Sequence, residues 1–177
     1  MLEVSQQSLA ILGSTGSIGK STLQVVAANP KLFNVFALSA RHNWRLLLEQ
    51  CTLFKPRYAA LQDEKQAQFL EQALKDEKIQ TTVVVGDNAI DEVAAHASVD
   101  TVVAAIVGVA GLSSTLSAIN AGKRVLLANK ESLVCAGNLL MQAVRDNNAE
   151  LLALDSEHNA MFQCFSTPLQ HLSLIHI

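Results

Sequence analysis

The stretch ILGSTGSIGKST, residues 11–22, decides how this chain folds. It contains three glycines at regular spacing, Gly13, Gly16 and Gly19. The apolar run SLAIL, residues 8–12, precedes it and is typical of a short buried strand. Apolar residues at helical spacing follow it, at Ile18, Leu23 and Val26. A strand, a glycine-rich turn and a helix in this order predict a phosphate-binding turn of some kind.

A nucleoside-triphosphate loop does not fit the spacing. That loop requires G-x-x-x-x-G-K-[ST], so that consecutive backbone N–H groups surround the phosphates. If Gly19, Lys20 and Ser21 formed its end, its first glycine would stand at position 14, where the chain has Ser14. Gly13 is one residue too early, and the hydrolase interpretation is therefore excluded.

A dinucleotide turn fits with one extra residue, as G-x-x-G-x-x-G. Gly13 would begin the turn, Gly16 would let the backbone approach a pyrophosphate, and Gly19 would let helix and strand pack closely. Ser17 is expected near the N-cap of the helix, whose N-terminal N–H groups would face the pyrophosphate. The alternative is a tight turn that binds no ligand.

The end of the second predicted strand favours NADPH over NADH. An NAD site usually has Asp or Glu there, about 20 residues after the turn, to bind the ribose 2′-hydroxyl. The strand FNVFALSA, residues 33–40, is followed instead by Arg41, His42 and Asn43. An arginine can pair with a 2′-phosphate in a forked geometry, which a carboxylate would repel. Arg41 and His42 could also be solvated loop residues.

Composition excludes several classes of protein. The chain has 177 residues, half of them hydrophobic, and a net charge of −3, which predicts one substantial core and no nucleic-acid or membrane-surface partner. No apolar run is long enough to span a bilayer, and MLEVSQQS at the N-terminus is not a signal peptide. The three cysteines, Cys51, Cys135 and Cys164, match no zinc spacing and indicate a reducing cytoplasm.

Strand-like and helix-like segments alternate along the chain. Strands are predicted over residues 8–12, 33–40, 57–61, 81–86, 100–108, 124–128 and 149–154. Helices are predicted over residues 18–29, 44–53, 63–78, 88–97, 112–123 and 131–146, with Gly122 as a C-terminal cap. The fold class that follows is α/β: a Rossmann-like, doubly wound, mostly parallel sheet with helices on both faces.

Two further segments are expected at the carboxyl ends of strands, where ligands collect in such sheets. In ANKES, residues 128–132, Lys130 could hold an anionic or carbonyl oxygen and Asn129 could bind nicotinamide or ribose. The alternative is a polar connection in which Glu131 matches the dipole of the following helix.

In LDSEHNA, residues 154–160, the carboxylates of Asp155 and Glu157 are two residues apart. Carboxylates so placed can converge on Mg²⁺ or Mn²⁺, which prefer oxygen ligands. They leave the coordination sphere incomplete, so a further ligand is needed. A capped helix N-terminus explains the same residues without a metal.

In combination the motifs resemble a known family. The chain is similar to the N-terminal part of the 1-deoxy-D-xylulose 5-phosphate reductoisomerase family. Four motifs carry the resemblance, in this order: ILGSTGSIGKSTL, AAIVGVAGLSSTLSAINAGK, LLANKESLV and LDSEHNAMFQ. The resemblance runs from about residue 8 to Phe165. It implies NADPH- and Mg²⁺- or Mn²⁺-dependent reductive isomerisation of 1-deoxy-D-xylulose 5-phosphate to 2-C-methyl-D-erythritol 4-phosphate, in non-mevalonate isoprenoid synthesis. It also implies a full-length homodimer, in the bacterial cytoplasm or a plastid.

The resemblance assigns roles to matching residues. Residues Thr15, Gly16, Ser17 and Ile18 would hold the pyrophosphate and its surroundings, Asn43 would lie near the adenosine, and Asn129 and Glu131 would contact the cofactor. Lys130 would contact substrate and take part in catalysis, as would Glu157, with Ser156 also near substrate. Asp155 and Glu157 would bind the metal. Family members often carry Gly in an A-G-[KR]-N stretch where this chain has Arg41 followed by His42, so the 2′-phosphate contact is expected to differ in detail.

The predicted domain organisation is an NADPH-binding domain over residues 1–154 and the start of a catalytic, metal-binding domain over residues 155–171. Residues 172–177, LSLIHI, match the translation of a sequencing adapter and are interpreted as a read-through artefact; a genuine apolar strand is the alternative. The family's remaining active-site parts would lie beyond this chain, which predicts an inactive fragment. Two other functions stay open: another NADP-dependent oxidoreductase domain, which would need a catalytic cysteine, and a non-catalytic nucleotide-binding module.

Overall fold

The computed structural model describes residues 5–86 and 88–154. In this part of the chain, seven strands alternate with six α-helices. The strands are β1 (Gln7–Leu12), β2 (Phe33–Ala40), β3 (Tyr58–Leu61), β4 (Thr82–Val85), β5 (Thr101–Ala104), β6 (Arg124–Leu127) and β7 (Glu150–Ala153). The helices are α1 (Ser17–Ala28), α2 (Trp44–Phe54), α3 (Glu64–Asp76), α4 (Ala89–Ala95), α5 (Leu112–Asn120) and α6 (Lys130–Asp146).

All neighbouring strands pair in parallel, in the order β4-β3-β2-β1-β5-β6-β7. Strands β2, β3 and β4 follow one another on one side of β1. The chain then crosses back over the sheet, and β5, β6 and β7 follow one another on the other side of β1. The strand order therefore reverses between β1 and β5, and a crevice opens there at the carboxyl ends of the strands. The predicted Rossmann-like, doubly wound class is confirmed.

Alternation along the strands divides the core into two layers. In β1, Ala10 and Leu12 face one layer while Leu9 and Ile11 face the other, because successive side chains of a strand point to opposite faces. Helices α1, α2 and α3 cover the face of Leu9 and Ile11, and helices α4, α5 and α6 cover the opposite face. Burial on both faces explains why the central strands read as nearly continuous apolar runs.

The ends of the elements differ from the sequence prediction most clearly after β5. The strand predicted over residues 100–108 ends at Ala104, because the chain leaves the sheet there and enters a short 3₁₀ turn at Gly108–Gly111. Apolar character continues past this edge without strand pairing, and Val107 is 84% exposed. Ser17 lies next to the N-cap of α1, as expected: Gly16 takes the N-cap position, Ser17 is the first helical residue, and no side chain caps the helix. Gly122 follows α5 with a φ of +68°, as a glycine just past a helix end does.

Among the described residues, none of the helices combines the length and the apolar character that crossing a lipid bilayer demands.

Candidate functional site

The glycine-rich turn between β1 and α1 depends on two glycines for its shape. Gly13 has a φ of +79°, and a Cβ built on it would lie 2.8 Å from the carbonyl oxygen of Ala105. A Cβ on Gly19 would lie 2.5 Å from the Cα of Ser14. Both contacts are with backbone, which has little freedom to move. Gly13 thus sets the turn against the loop after β5, and Gly19 sets α1 against the turn, as the spacing predicts.

Gly16 is different, because the protein itself does not exclude a side chain there. Its backbone is extended, with φ −78° and ψ 177°, and a Cβ would meet only the carbonyl oxygen of Gly13, at 3.4 Å. Gly16 is exposed at the N-terminus of α1, where the first N–H groups of a helix have no partner within it. A bare backbone at this point leaves those N–H groups and the positive end of the helix dipole open to an anion.

The turn forms one wall of a cleft of about 210 Å³ at the carboxyl ends of β1, β5 and β6. Three segments that are far apart in sequence meet there. They contribute Gly16, Ser17 and Ile18 from the turn, Ala105, Ile106 and Val107 from the loop after β5, and Ala128, Asn129, Lys130 and Glu131 from the connection to α6. Six of the residues predicted to bind cofactor or substrate therefore line a single cleft at the point where the strand order reverses.

Asn129 organises the floor of this cleft. The side chain is only 4% exposed, and its Nδ2 donates to the carbonyl oxygens of Ile106, at 3.0 Å, and of Gly108. These two bonds replace the strand pairing that residues 106–108 lack. The Asn129 Oδ1 and the Ser132 Oγ are buried, and neither finds a hydrogen-bond partner within the described ranges. Buried polar atoms in this condition are uncommon and often mark a functional site.

A buried polar network, which the sequence motifs do not indicate, holds the other side of the turn. The Ser14 Oγ donates to the Gln50 Oε1 at 2.6 Å, and the Gln50 Nε2 donates to the Ser14 carbonyl oxygen at 2.9 Å. Ser39, at the end of β2, accepts from the N–H of Gly13 on its Oγ and from the N–H of Ser14 on its carbonyl oxygen. All three polar side chains are buried.

The residues after β2 lie beside the turn, because β2 pairs with β1. Arg41, His42 and Asn43 are all exposed at this strand end. Asn43 caps α2, its Oδ1 accepting from the N–H of Leu46 at 3.2 Å, so part of its hydrogen-bonding capacity is used within the protein. An exposed arginine and an exposed histidine at this edge suit an anion on the adenosine side of a dinucleotide. Their contact with a 2′-phosphate stays a prediction.

The predicted metal ligands Asp155 and Glu157, and the predicted substrate residue Ser156, lie outside the described residues. Within residues 5–86 and 88–154, no group of three or more His, Cys, Asp or Glu side chains is arranged to hold a metal ion.

Burial raises the pKa of the Cys51 thiol to about 12, which leaves it protonated at neutral pH. Cys51 is therefore unsuited as the nucleophile that an oxidoreductase with a catalytic cysteine would require.

The Rossmann-like class of dinucleotide-binding domains is defined by three features that are present here. They are a parallel sheet with this strand order, a glycine-rich turn, and an open helix N-terminus at the point where the strand order reverses. Comparison with known proteins gives the family. A family model described as 1-deoxy-D-xylulose 5-phosphate reductoisomerase matches residues 9–137, and the chain belongs to that family.

Curated relatives in two bacteria carry the same description. The protein from Ruthia magnifica subsp. Calyptogena magnifica is 48% identical over 171 residues, covering 97% of this chain and 44% of the relative. The protein from Saccharophagus degradans is 51% identical over 167 residues, covering 94% of this chain and 43% of the relative. The chain thus spans less than half the length of these relatives.

Solved structures agree on the fold. A crystal structure of DOX-P reductoisomerase in complex with NADPH, fosmidomycin and magnesium superposes with a TM-score of 0.89 at 46% identity, covering 93% of this chain and 40% of that one. The 1-deoxy-D-xylulose 5-phosphate reductoisomerase from Zymomonas mobilis in complex with NADPH superposes with a TM-score of 0.85 at 42% identity, covering 90% of this chain and 41% of that one.

Proposed function

We propose that this chain is the NADPH-binding part of an enzyme that reductively isomerises 1-deoxy-D-xylulose 5-phosphate to 2-C-methyl-D-erythritol 4-phosphate. The observation that carries the proposal is the cleft, in which the glycine-rich turn and the segment Asn129–Lys130–Glu131 meet at the reversal of strand order. Family membership supplies the reaction, and the relatives crystallised with NADPH support the cofactor.

The described residues fit a dinucleotide in both shape and charge. A pyrophosphate needs N–H donors and close access to backbone, and the first turn of α1 offers both beside Gly16, where no side chain stands in the way. At the floor of the cleft, the Asn129 Oδ1 has no partner among the described residues and is proposed to accept from a carboxamide or hydroxyl donor of the cofactor. Arg41 and His42 stand at the strand end next to the turn, on the side expected for the adenosine.

The polar residues 129–131 and 155–157 have proposed tasks. NADPH, when bound, supplies a hydride, and the protein supplies its placement. Asn129 and Glu131 position the cofactor from the N-terminus of α6, and Lys130, exposed at the first position of that helix, holds an anionic or carbonyl oxygen of the substrate. We propose that Asp155 and Glu157 bind Mg²⁺ or Mn²⁺, which acts as a Lewis acid, and that Ser156 and Glu157 contact the substrate.

Gly16→Val tests the cofactor site. The variant should fold normally, because a Cβ at Gly16 meets only one atom, at 3.4 Å. It should lose NADPH affinity by about 100-fold or more, equivalent to roughly 2.7 kcal/mol, because the new methyl groups occupy the approach of the pyrophosphate. Calorimetric titration measures the affinity, and thermal unfolding without ligand provides the control. NADPH binding equal to that of the original chain would refute the pyrophosphate assignment.

Arg41→Ala tests cofactor choice. The original chain should bind NADPH at least about tenfold more tightly than NADH, and Arg41→Ala should remove most of that difference by weakening NADPH alone. Lys31→Ala is the matched control: it removes one exposed positive charge just before the opposite end of β2. Equal affinity of the original chain for the two cofactors, at fixed ionic strength, would contradict the NADPH preference.

We propose that the enzyme acts in a reducing compartment, the cytoplasm in bacteria, and that its full-length form is a homodimer. The two cysteines among the described residues, Cys51 and Cys135, are free thiols, which suits that compartment. Sedimentation of the chain extended to the length of its relatives checks the dimer, and a monomeric mass at micromolar concentration would contradict it.

A further inference from the structure

We propose that Gln50 is a positioning residue that aims a backbone donor of the glycine-rich turn at the cofactor. The proposal rests on the proposed binding of a dinucleotide and adds a residue outside the cleft to it. Gln50 lies in α2, is 7% exposed, and is not among the residues that line the cleft.

Two hydrogen bonds join Gln50 to Ser14. The amide of Gln50 accepts from the Ser14 hydroxyl at 2.6 Å and donates to the Ser14 carbonyl oxygen at 2.9 Å. The N–H of Ser14 is held as well, by the carbonyl oxygen of Ser39 at 2.8 Å. Both backbone groups of Ser14 therefore point into the protein, and Ser14 itself is fully buried.

The direction of the Ser14 carbonyl fixes the direction of the next N–H. The described chain contains no cis peptide bond, and in a trans peptide the C=O and the following N–H point in opposite directions. A Ser14 carbonyl held toward Gln50 thus turns the N–H of Thr15 away from Gln50, to the outer side of the turn. Thr15 is half-buried and directly precedes the exposed Gly16. The Thr15 N–H then joins the N–H groups at the start of α1 as a donor for a phosphate oxygen.

The two hydrogen bonds between Gln50 and Ser14 differ in whether another partner can replace them. The Ser14 hydroxyl already has a second acceptor in the Ser39 carbonyl oxygen, at 3.2 Å, so it can stay satisfied without Gln50. Within this network of described residues, the Ser14 carbonyl oxygen accepts a hydrogen bond only from the Gln50 Nε2. The Gln50 donor is therefore the contact that sets the peptide plane between Ser14 and Thr15.

The test separates the two hydrogen bonds by substitution. Gln50→Met keeps the length and helix preference of the side chain but removes its hydrogen-bonding atoms, and it should lower NADPH affinity by about tenfold or more. Gln50→Glu keeps an acceptor for the Ser14 hydroxyl but cannot, when ionised, donate to the carbonyl, and it should lose at least as much. Ser14→Ala removes the hydroxyl bonds and leaves the carbonyl anchor, so its affinity should change less than about threefold.

Two further readouts distinguish positioning from stability. Adenosine 2′-monophosphate lacks the pyrophosphate, so its affinity should be the same in Gln50→Met as in the original chain. In the ligand-free protein, the amide resonance of Thr15 should move in both Gln50 variants more than in Ser14→Ala. Thermal unfolding of the ligand-free proteins gives an unfolding midpoint for each variant, so that their stabilities can be compared.

The outcomes are separable. Failure of the original chain to bind NADPH overturns the proposed function and, with it, this inference. Normal NADPH binding by both Gln50 variants, or an unmoved Thr15 amide, overturns the inference alone. Loss of affinity in proportion to loss of stability across all three variants also overturns it, since that pattern belongs to a purely structural residue.

Discussion

Gly19→Ala should lower the free energy of unfolding by at least about 3 kcal/mol, which corresponds to roughly 10 °C in the unfolding midpoint. The added Cβ would lie 2.5 Å from the Cα and 2.7 Å from the carbonyl carbon of Ser14, and 2.6 Å from the carbonyl oxygen of Gly13. All three atoms are backbone atoms of a turn that is tied to β2 and α2, so relief requires α1 to move away from the sheet. Chemical denaturation followed by circular dichroism measures the change.

Two matched variants make this result specific. Gly16→Ala, three residues earlier, meets only ordinary contact at 3.4 Å and should cost less than about 1 kcal/mol. Ser21→Ala, at an exposed position of the same helix, should be neutral or slightly stabilising because alanine favours helix. A Gly19→Ala protein as stable as these controls would show that the close packing of α1 on the turn is not required.

The 177-residue chain should show no measurable reductoisomerase turnover, even with saturating NADPH and Mn²⁺. The chain matches 44% of the length of a 48%-identical relative, so more than half of that relative has no counterpart in the 177 residues. The rearrangement depends on a fixed substrate geometry and on exclusion of water, and a partial site supplies neither. Substrate-dependent oxidation of NADPH, followed by its absorbance, is the measurement.

The control for this prediction is the same chain extended to the length of its relatives. The extended chain should oxidise NADPH in the presence of the sugar phosphate, and Glu157→Gln in it should abolish that activity because a proposed metal ligand is lost. Turnover by the short chain would refute the fragment argument. Full activity of the extended Glu157→Gln variant would refute the metal assignment.

Much of the fold could be predicted from sequence because each part of the pattern has a local cause. The glycine spacing after residues 8–12 located β1 and α1, and the alternation of apolar runs with amphipathic segments located the elements that follow. The end of β5 could not be found this way. Residues 105–107 are as apolar as the strand before them, and the contact that holds them outside the sheet comes from a distant residue: the Asn129 side chain binds the carbonyl oxygens of residues 106 and 108.

Two segments of the candidate site could be singled out from the sequence, whereas Gln50, which lies behind the turn, could not. The turn and the segment 129–131 could be singled out because each stands at a strand end, and the structure brings them together in one cleft. Gln50 could not, because a glutamine in an amphipathic helix is ordinarily solvated. Its position one residue before the buried Cys51 and three after the buried Leu47 is a weak signal that it faces the core.

The order of the strands also determines which strand edge stays unpaired while the chain is being synthesised. Strands β1 to β4 can assemble as soon as they leave the ribosome, but β1 then remains an open edge until β5 is synthesised, nearly ninety residues after Leu12. That edge is the apolar run Leu9–Leu12, which is almost completely buried in the finished sheet. An unpaired apolar edge is a template for wrong pairing with other chains. We therefore expect a stage of synthesis in which aggregation competes with folding. The pairing of β5 ends that stage, and the loop after β5 then contributes one wall of the cleft.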